Sequence, residues 1–194
     1  MESSGERTSP SLAAFPVGGG CVCGGVRYRI HALPLSVYAC HCKDCQRFSG
    51  GPFSVAMAVR LEDFSLDRGE PARLPKPADS GRVVGVRFCR DCSTRLWHEP
   101  AHSPHLVNLA AGTLDDSSWA LPAAEVWTSR RSPWVSFATP IHFSCEGQPA
   151  ERQALYDAWM FSVNASVSRL PRTASPHDPR PNPLPPIPTS DKAK

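Results

Sequence analysis

Three short stretches, Gly19-Gly20-Cys21-Val22-Cys23-Gly24-Gly25-Val26-Arg27-Tyr28, Cys40-His41-Cys42-Lys43-Asp44-Cys45 and Phe88-Cys89-Arg90-Asp91-Cys92, place seven of the eight cysteines of this 194-residue chain within 72 residues. Side chains alternate faces along extended backbone, so Cys21 and Cys23 can present both sulfurs to one side, as can Cys40 and Cys42. Cys42-x-x-Cys45 and Cys89-x-x-Cys92 have the spacing of a metal knuckle, in which a tight turn brings both sulfurs to about 2.3 Å from one zinc ion and backbone N–H groups can donate to them. Seven ligands divide naturally as four plus three. A site closed by four cysteines is structural, whereas a three-ligand zinc keeps an open position for water or substrate. Three thiolates also make a soft site that suits an incoming sulfur ligand. The expectation is two zinc ions per chain, one structural and one catalytic, although spacing alone does not assign each cysteine to its site. Cys145 stands apart from these stretches and reads as a buried structural cysteine.

Around the cysteines the hydrophobic period is that of strands. Val26, Tyr28 and Ile30 alternate with Arg27 and Arg29, and Phe53, Val55, Met57 and Val59 alternate over residues 53–60. Residues 83–88 predict a strand running into Cys89, with residues 95–98 returning from the knuckle. Residues 105–111 and 125–128 are further strand candidates, joined through the turn-prone Asp115, Asp116, Ser117 and Ser118. The Pro-, Gly- and Asp-rich stretch at 67–81 predicts a loop. One helix is expected, at 149–161, where Pro149 and Glu151 suit a first turn and Leu155, Ala158 and Trp159 share a face. The fold class is therefore mainly β with a short C-terminal helix.

Domain organisation follows from composition. Residues 1–17 predict a disordered leader rich in Ser, Pro, Gly and charge. Residues 18–148 form the metal-binding body, and residues 149–170 a helical extension. Residues 171–194 carry 8 of the 21 prolines and predict an extended, disordered tail. Leu12, Ala13, Ala14 and Phe15 before Pro16 are too few for an export signal, and no apolar run reaches the roughly 18 residues that span a bilayer. Clustered cysteines without a secretory signal point to an intracellular, cytoplasmic chain whose thiols stay reduced. A net charge of +3, spread over the chain, is no nucleic-acid footprint. The sequence gives no reading of oligomeric state.

The three cysteine stretches, with Gln46, Arg47 and Gly50 after the second, closely resemble the glutathione-dependent formaldehyde-activating family, also called the centromere-protein-V family. The likeness runs over about residues 18–140 and includes Val107-Asn108-Leu109-Ala110-Ala111-Gly112-Thr113-Leu114-Asp115-Asp116, Val126-Trp127, and Ser129 through Pro133-Trp134. This resemblance implies a folded-over β-sheet structure, the β-tent, with two zinc sites. Matched motif to motif, Cys21, Cys23, Cys89 and Cys92 correspond to the family's structural set, and Cys40, Cys42 and Cys45 to its catalytic set. The implied activity is reversible addition of glutathione, or another small thiol, to formaldehyde or a related small aldehyde, with carbon–sulfur lyase as the reverse direction. One departure is Ser93, where the family commonly has Gly. Ser incurs strain there if the backbone needs positive φ.

Other residues divide less sharply. Arg47 is a candidate partner for a glutathione carboxylate, since Arg binds carboxylates bidentately, and it reads equally as a solvated arginine. Arg130 and Arg131 are weaker candidates. His41, between two same-facing ligands, points away from them and reads as a supporting or core histidine. Asp44 shapes its turn. His98, His102 and His105 receive no role, and Trp97, Trp127 and Trp134 read as core or rim aromatics. Two functional classes follow: a zinc-dependent enzyme acting on thiol adducts, or a zinc-stabilised binding module for a protein or chromatin partner. An open three-cysteine site favours the enzyme, because a scaffold has no need of a vacant ligand position.

Overall fold

The computed structural model describes residues 13–78, 81 and 83–167, so most of the expected leader and all of the Pro-rich tail lie outside the described residues. In chain order the strands are β1 (Val17–Gly20), β2 (Arg27–Ile30), β3 (Ser36–Cys40), β4 (Ser54–Arg60), β5 (Phe64–Arg68), β6 (Ala72–Pro77), β7 (Val83–Phe88), β8 (Arg95–Pro100), β9 (Leu106–Ala110), β10 (Ala124–Val126) and β11 (Phe143–Cys145). Helix α1 (Lys43–Ser49) follows β3, and α2 (Gln153–Val167) follows β11. The expected class, mainly β with a short C-terminal helix, is what forms. No described helix is long and apolar enough to cross a membrane.

The strands make a small sheet in the order β1-β2-β5 and a large one in the order β11-β10-β3-β4-β9-β8-β7-β6. Strand parity gives the large sheet two different faces. Val37, Met57, Val59, Val107 and Leu109 point one way and pack with Tyr28 and Ile30 of the small sheet in the main core. Tyr28, Phe64 and Trp97 interlock there, with Phe64 and Trp97 centroids 5.0 Å apart at 64°. Tyr38, Cys40, Ala56 and Val126 point the other way, where Leu155 and Ala158 of α2 cover part of the face. Trp159 and Val163 extend the helix contact into the main core.

Several elements depart from the sequence reading. The stretch 67–81 is not a loop: it holds the end of β5 and all of β6. Pro75 and Pro77 hid this strand, and they are tolerated because β6 is the outer edge of the large sheet. The sequence reading placed no strand at the glycines of β1, yet they are strand residues in close quarters. A side chain at Gly19 would place its Cβ 2.5 Å from the Tyr28 ring and 2.7 Å from Thr113 O. Ahead of β1, Phe15 sits edge-on against Trp119 at 5.9 Å. The Cys42-x-x-Cys45 turn continues into α1, which ends at Gly50 in the left-handed region, φ 65. Trp134, expected in the core or at its rim, is 74 % exposed.

The second Cys-x-x-Cys remains a turn between β7 and β8, closed by Ser93 N–H donating to Cys89 O at 3.0 Å and Cys89 N–H to Thr94 O at 3.0 Å. Ser93 takes φ 59, so this backbone does require the conformation that favours glycine. Ser93→Gly is expected to raise stability by up to about 1 kcal/mol, seen as a higher urea midpoint with an unchanged slope. Leu109→Ala, in the middle of the main core and 0 % exposed, is expected to lower it by about 2–5 kcal/mol in the same measurement.

Candidate metal centres and cleft

Two groups of cysteines come together, and they are the groups that the family resemblance implies. The sulfurs of Cys21, Cys23, Cys89 and Cys92 lie within 4.8 Å of one another, as do those of Cys40, Cys42 and Cys45. Four sulfurs bound tetrahedrally at about 2.3 Å would lie roughly 3.8 Å apart. In the first group the separations of 3.4 Å for Cys21 to Cys23 and 3.7 Å for Cys23 to Cys89 are close to that, and the closeness of the sulfurs in each group could let it hold a metal ion. The first group joins the β1–β2 turn of the small sheet to the β7–β8 turn of the large one. Val26 N–H donates to Cys21 Sγ at 3.2 Å, the backbone-to-sulfur bond typical of a knuckle.

The second group is built on one bend. Cys40 ends β3, Cys42 caps α1, and Cys45 lies in its first turn, with Cys45 N–H donating to Cys42 Sγ at 3.4 Å. The Cys42 thiol is pushed down to about 2, first by the thiols of Cys40 and Cys45 donating to it and further by the N–H groups of Cys45 and Asp44. Cys40 is pushed up, because it donates to the other two sulfurs and is buried. These contacts favour the thiolate form at Cys42.

Beneath the bend lies a polar relay that the sequence did not suggest. His41 is 0 % exposed and its Nε2 lies 3.0 Å from Glu125 Oε2, and Arg131 Nη1 donates to both Glu125 oxygens at 3.2 and 3.3 Å. His41 is fully buried and joins neither cysteine group, in keeping with its reading as a supporting or core histidine and not a ligand. Arg131 thus supports Glu125, while Arg130 stacks over Trp127 with 4.5 Å to the ring centroid. Gln46 Nε2 donates to His41 O at 2.8 Å and to Arg130 O at 3.0 Å, fastening α1 to the 3₁₀ turn Thr128–Arg130. Cys145 is half-buried with its thiol donating to Gly147 O at 3.1 Å, and it joins neither group.

The three-cysteine group opens onto a concave cleft, part of it open to solvent. Its floor is the second face of the large sheet. Tyr38 and Cys40 of β3, Ala56 of β4, Asn108 of β9 and His98 of β8 all line it, and His98 and Asn108 are cross-strand neighbours. Burial pushes His98 down to about 3, aided by the guanidiniums of Arg95 and Arg152, so the ring is neutral. Asp44 and Lys76 form an ion pair at the wall.

Arg47 is exposed on α1 and is not among the cleft-lining residues. Two positions along a helix is about 200° of rotation, which turns Arg47 away from Cys45. The guanidiniums that do line the cleft belong to Arg95 and Arg152. Neither they nor His98 and Asn108 could be read from spacing, because cross-strand register brings them in from separate parts of the chain.

The family model described as glutathione-dependent formaldehyde-activating enzyme matches residues 16–130. No curated protein matches the chain. Among solved structures, a crystal structure of a Rhodobacter sphaeroides protein is 23 % identical and covers 50 % of this chain and 86 % of its own, with a TM-score of 0.41. The family match takes in more than half of the chain's residues and all seven of the clustered cysteines, and on it the chain belongs to the glutathione-dependent formaldehyde-activating family.

Proposed function

We propose that this chain is a zinc-dependent enzyme of the carbon–sulfur lyase type. It joins glutathione, or another small thiol, to formaldehyde or a related small aldehyde, and cleaves the adduct in reverse. Cys21, Cys23, Cys89 and Cys92 would hold a structural zinc, and Cys40, Cys42 and Cys45 a catalytic one. The observation that carries this reading is the contrast between the groups: four sulfurs complete one coordination shell, while three at a cleft leave the other open to an incoming sulfur. All eight cysteines are unpaired, which supports a reducing, cytoplasmic setting.

In the forward direction the thiol sulfur forms a bond to the aldehyde carbon, the carbonyl π pair moves to oxygen, and the thiol proton ends on that oxygen. Nothing is oxidised or reduced. A zinc ion bound at the three sulfurs would supply thiolate stabilisation and a Lewis acid for the aldehyde oxygen. The chain's own contribution is orientation. The Glu125–His41 contact and the two Gln46 bonds hold the bend that carries the ligands, and the Asp44–Lys76 pair fixes α1 to the edge strand β6.

Cys42→Ser is expected to retain the fold by circular dichroism, to lose one of two zinc ions and to lose activity. Cys89→Ser is expected to lose the cooperative unfolding transition itself, since it opens the group that joins the sheets. Equal loss of fold in both variants would undo the division of roles. Exchange NMR of formaldehyde and glutathione tests the reaction directly. The zinc-loaded protein is expected to accelerate exchange over the spontaneous rate, and no acceleration would remove this reaction.

A further inference from the structure

The cleft contains recognition groups that thiol chemistry alone does not need. Lys76 is matched by Asp44, but among the described residues no carboxylate pairs with Arg95 or Arg152. Arg95 is engaged close to the three-cysteine group, where it donates to Ser54 Oγ and lies 6.0 Å from the Phe48 ring centroid. Arg152 is different. It precedes α2, and its carbonyl accepts from Leu155 N–H at 3.0 Å and Tyr156 N–H at 3.2 Å, so its backbone is fixed in the first turn. That turn is anchored in turn by Leu155, Ala158 and Trp159, which are 2, 5 and 2 % exposed. The half-buried guanidinium faces the cleft, and its field reaches His98 and Tyr38.

The floor adds a second unused group. Asn108 is 1 % exposed and lines the cleft, and its Oδ1 has no hydrogen-bond partner among the described residues. A buried amide oxygen left unpaired costs about 1–3 kcal/mol, so a ligand bringing an N–H to it would recover that cost. Arg152 and Gln148, which lines the cleft beside it, lie beyond the family-matched residues 16–130. Arg152 belongs to the helical extension at 149–170, and Gln148 precedes it.

We infer that the extension completes the substrate site: Arg152 binds a carboxylate of the incoming thiol, and Asn108 accepts a hydrogen bond from an N–H of the same molecule. The site thus selects thiols of amino-acid or peptide type over uncharged small thiols. This rests on the proposed thiol chemistry of Cys40, Cys42 and Cys45.

The full chain loaded with cobalt(II) in place of zinc reports thiol ligation through its sulfur-to-metal absorption band, independently of turnover. Glutathione, glutathione diethyl ester and 2-mercaptoethanol are titrated in turn. Wild type is expected to bind glutathione about tenfold more tightly than the diester, the ratio given by one charge-assisted hydrogen bond. Arg152→Gln is expected to erase that ratio while leaving 2-mercaptoethanol affinity within about twofold, which also shows that the variant is folded, and Arg152→Lys to restore part of it. A wild type without the preference, an Arg152→Gln protein that keeps it, or an equal weakening of all three thiols would overturn the inference while leaving the thiol reading in place. A band that no thiol perturbs in wild type would overturn both.

Discussion

The four sulfurs of Cys21, Cys23, Cys89 and Cys92 meet where two hairpins from different sheets cross, and the arrangement of the molecule depends on that meeting. Two come from the turn joining β1 to β2 and two from the turn joining β7 to β8. Four thiolates this close would repel one another strongly, so the cluster is stable only with its charge cancelled by protons or by a bound cation. Cys21 and Cys89 are buried, 5 and 1 % exposed, which raises the cost of an uncancelled charge. The small sheet is held against the large one at this corner, and the Tyr28, Phe64 and Trp97 rings fill the space behind it.

With one face of the large sheet committed to that core, chemistry is left the other. The alternation that sends Val37, Met57 and Leu109 inward sends Tyr38, Ala56 and Asn108 to the cleft, so a single period-two pattern builds both the core face and the cleft face. Cys40 ends a strand of this same face, which puts the three-cysteine group at the wall of the cleft without any long loop. The groups that support it, Glu125, Arg131 and Gln46, are all reached within one or two contacts of His41.

What was legible in the sequence follows from this division. Cysteine spacing and strand alternation are local signals, and β2, β4, β7, β8 and β9 were read from them, while the sorting of the seven cysteines into two groups came from the family resemblance. Strands β1 and β6 were not, because glycine and proline are penalised in strands generally while an individual edge or a close contact can require them. Helix α1 was missed because seven residues opening on a ligand turn look the same as the turn alone. The cleft residues are a different kind of omission. His98, Asn108 and Arg152 meet only through register and through the docking of α2, and no window along the chain contains that information.

The outer edge of the large sheet has a further consequence. In an antiparallel edge strand alternate residues turn their N–H groups toward the neighbour and toward solvent. Pro75 and Pro77 share one parity, and proline in such a strand takes the outward positions because it has no N–H to give. The rim of the cleft formed by β6 is thereby stripped of donors at two successive outward positions. Another polypeptide strand finds little to pair with there, so this edge of the sheet is protected from extension.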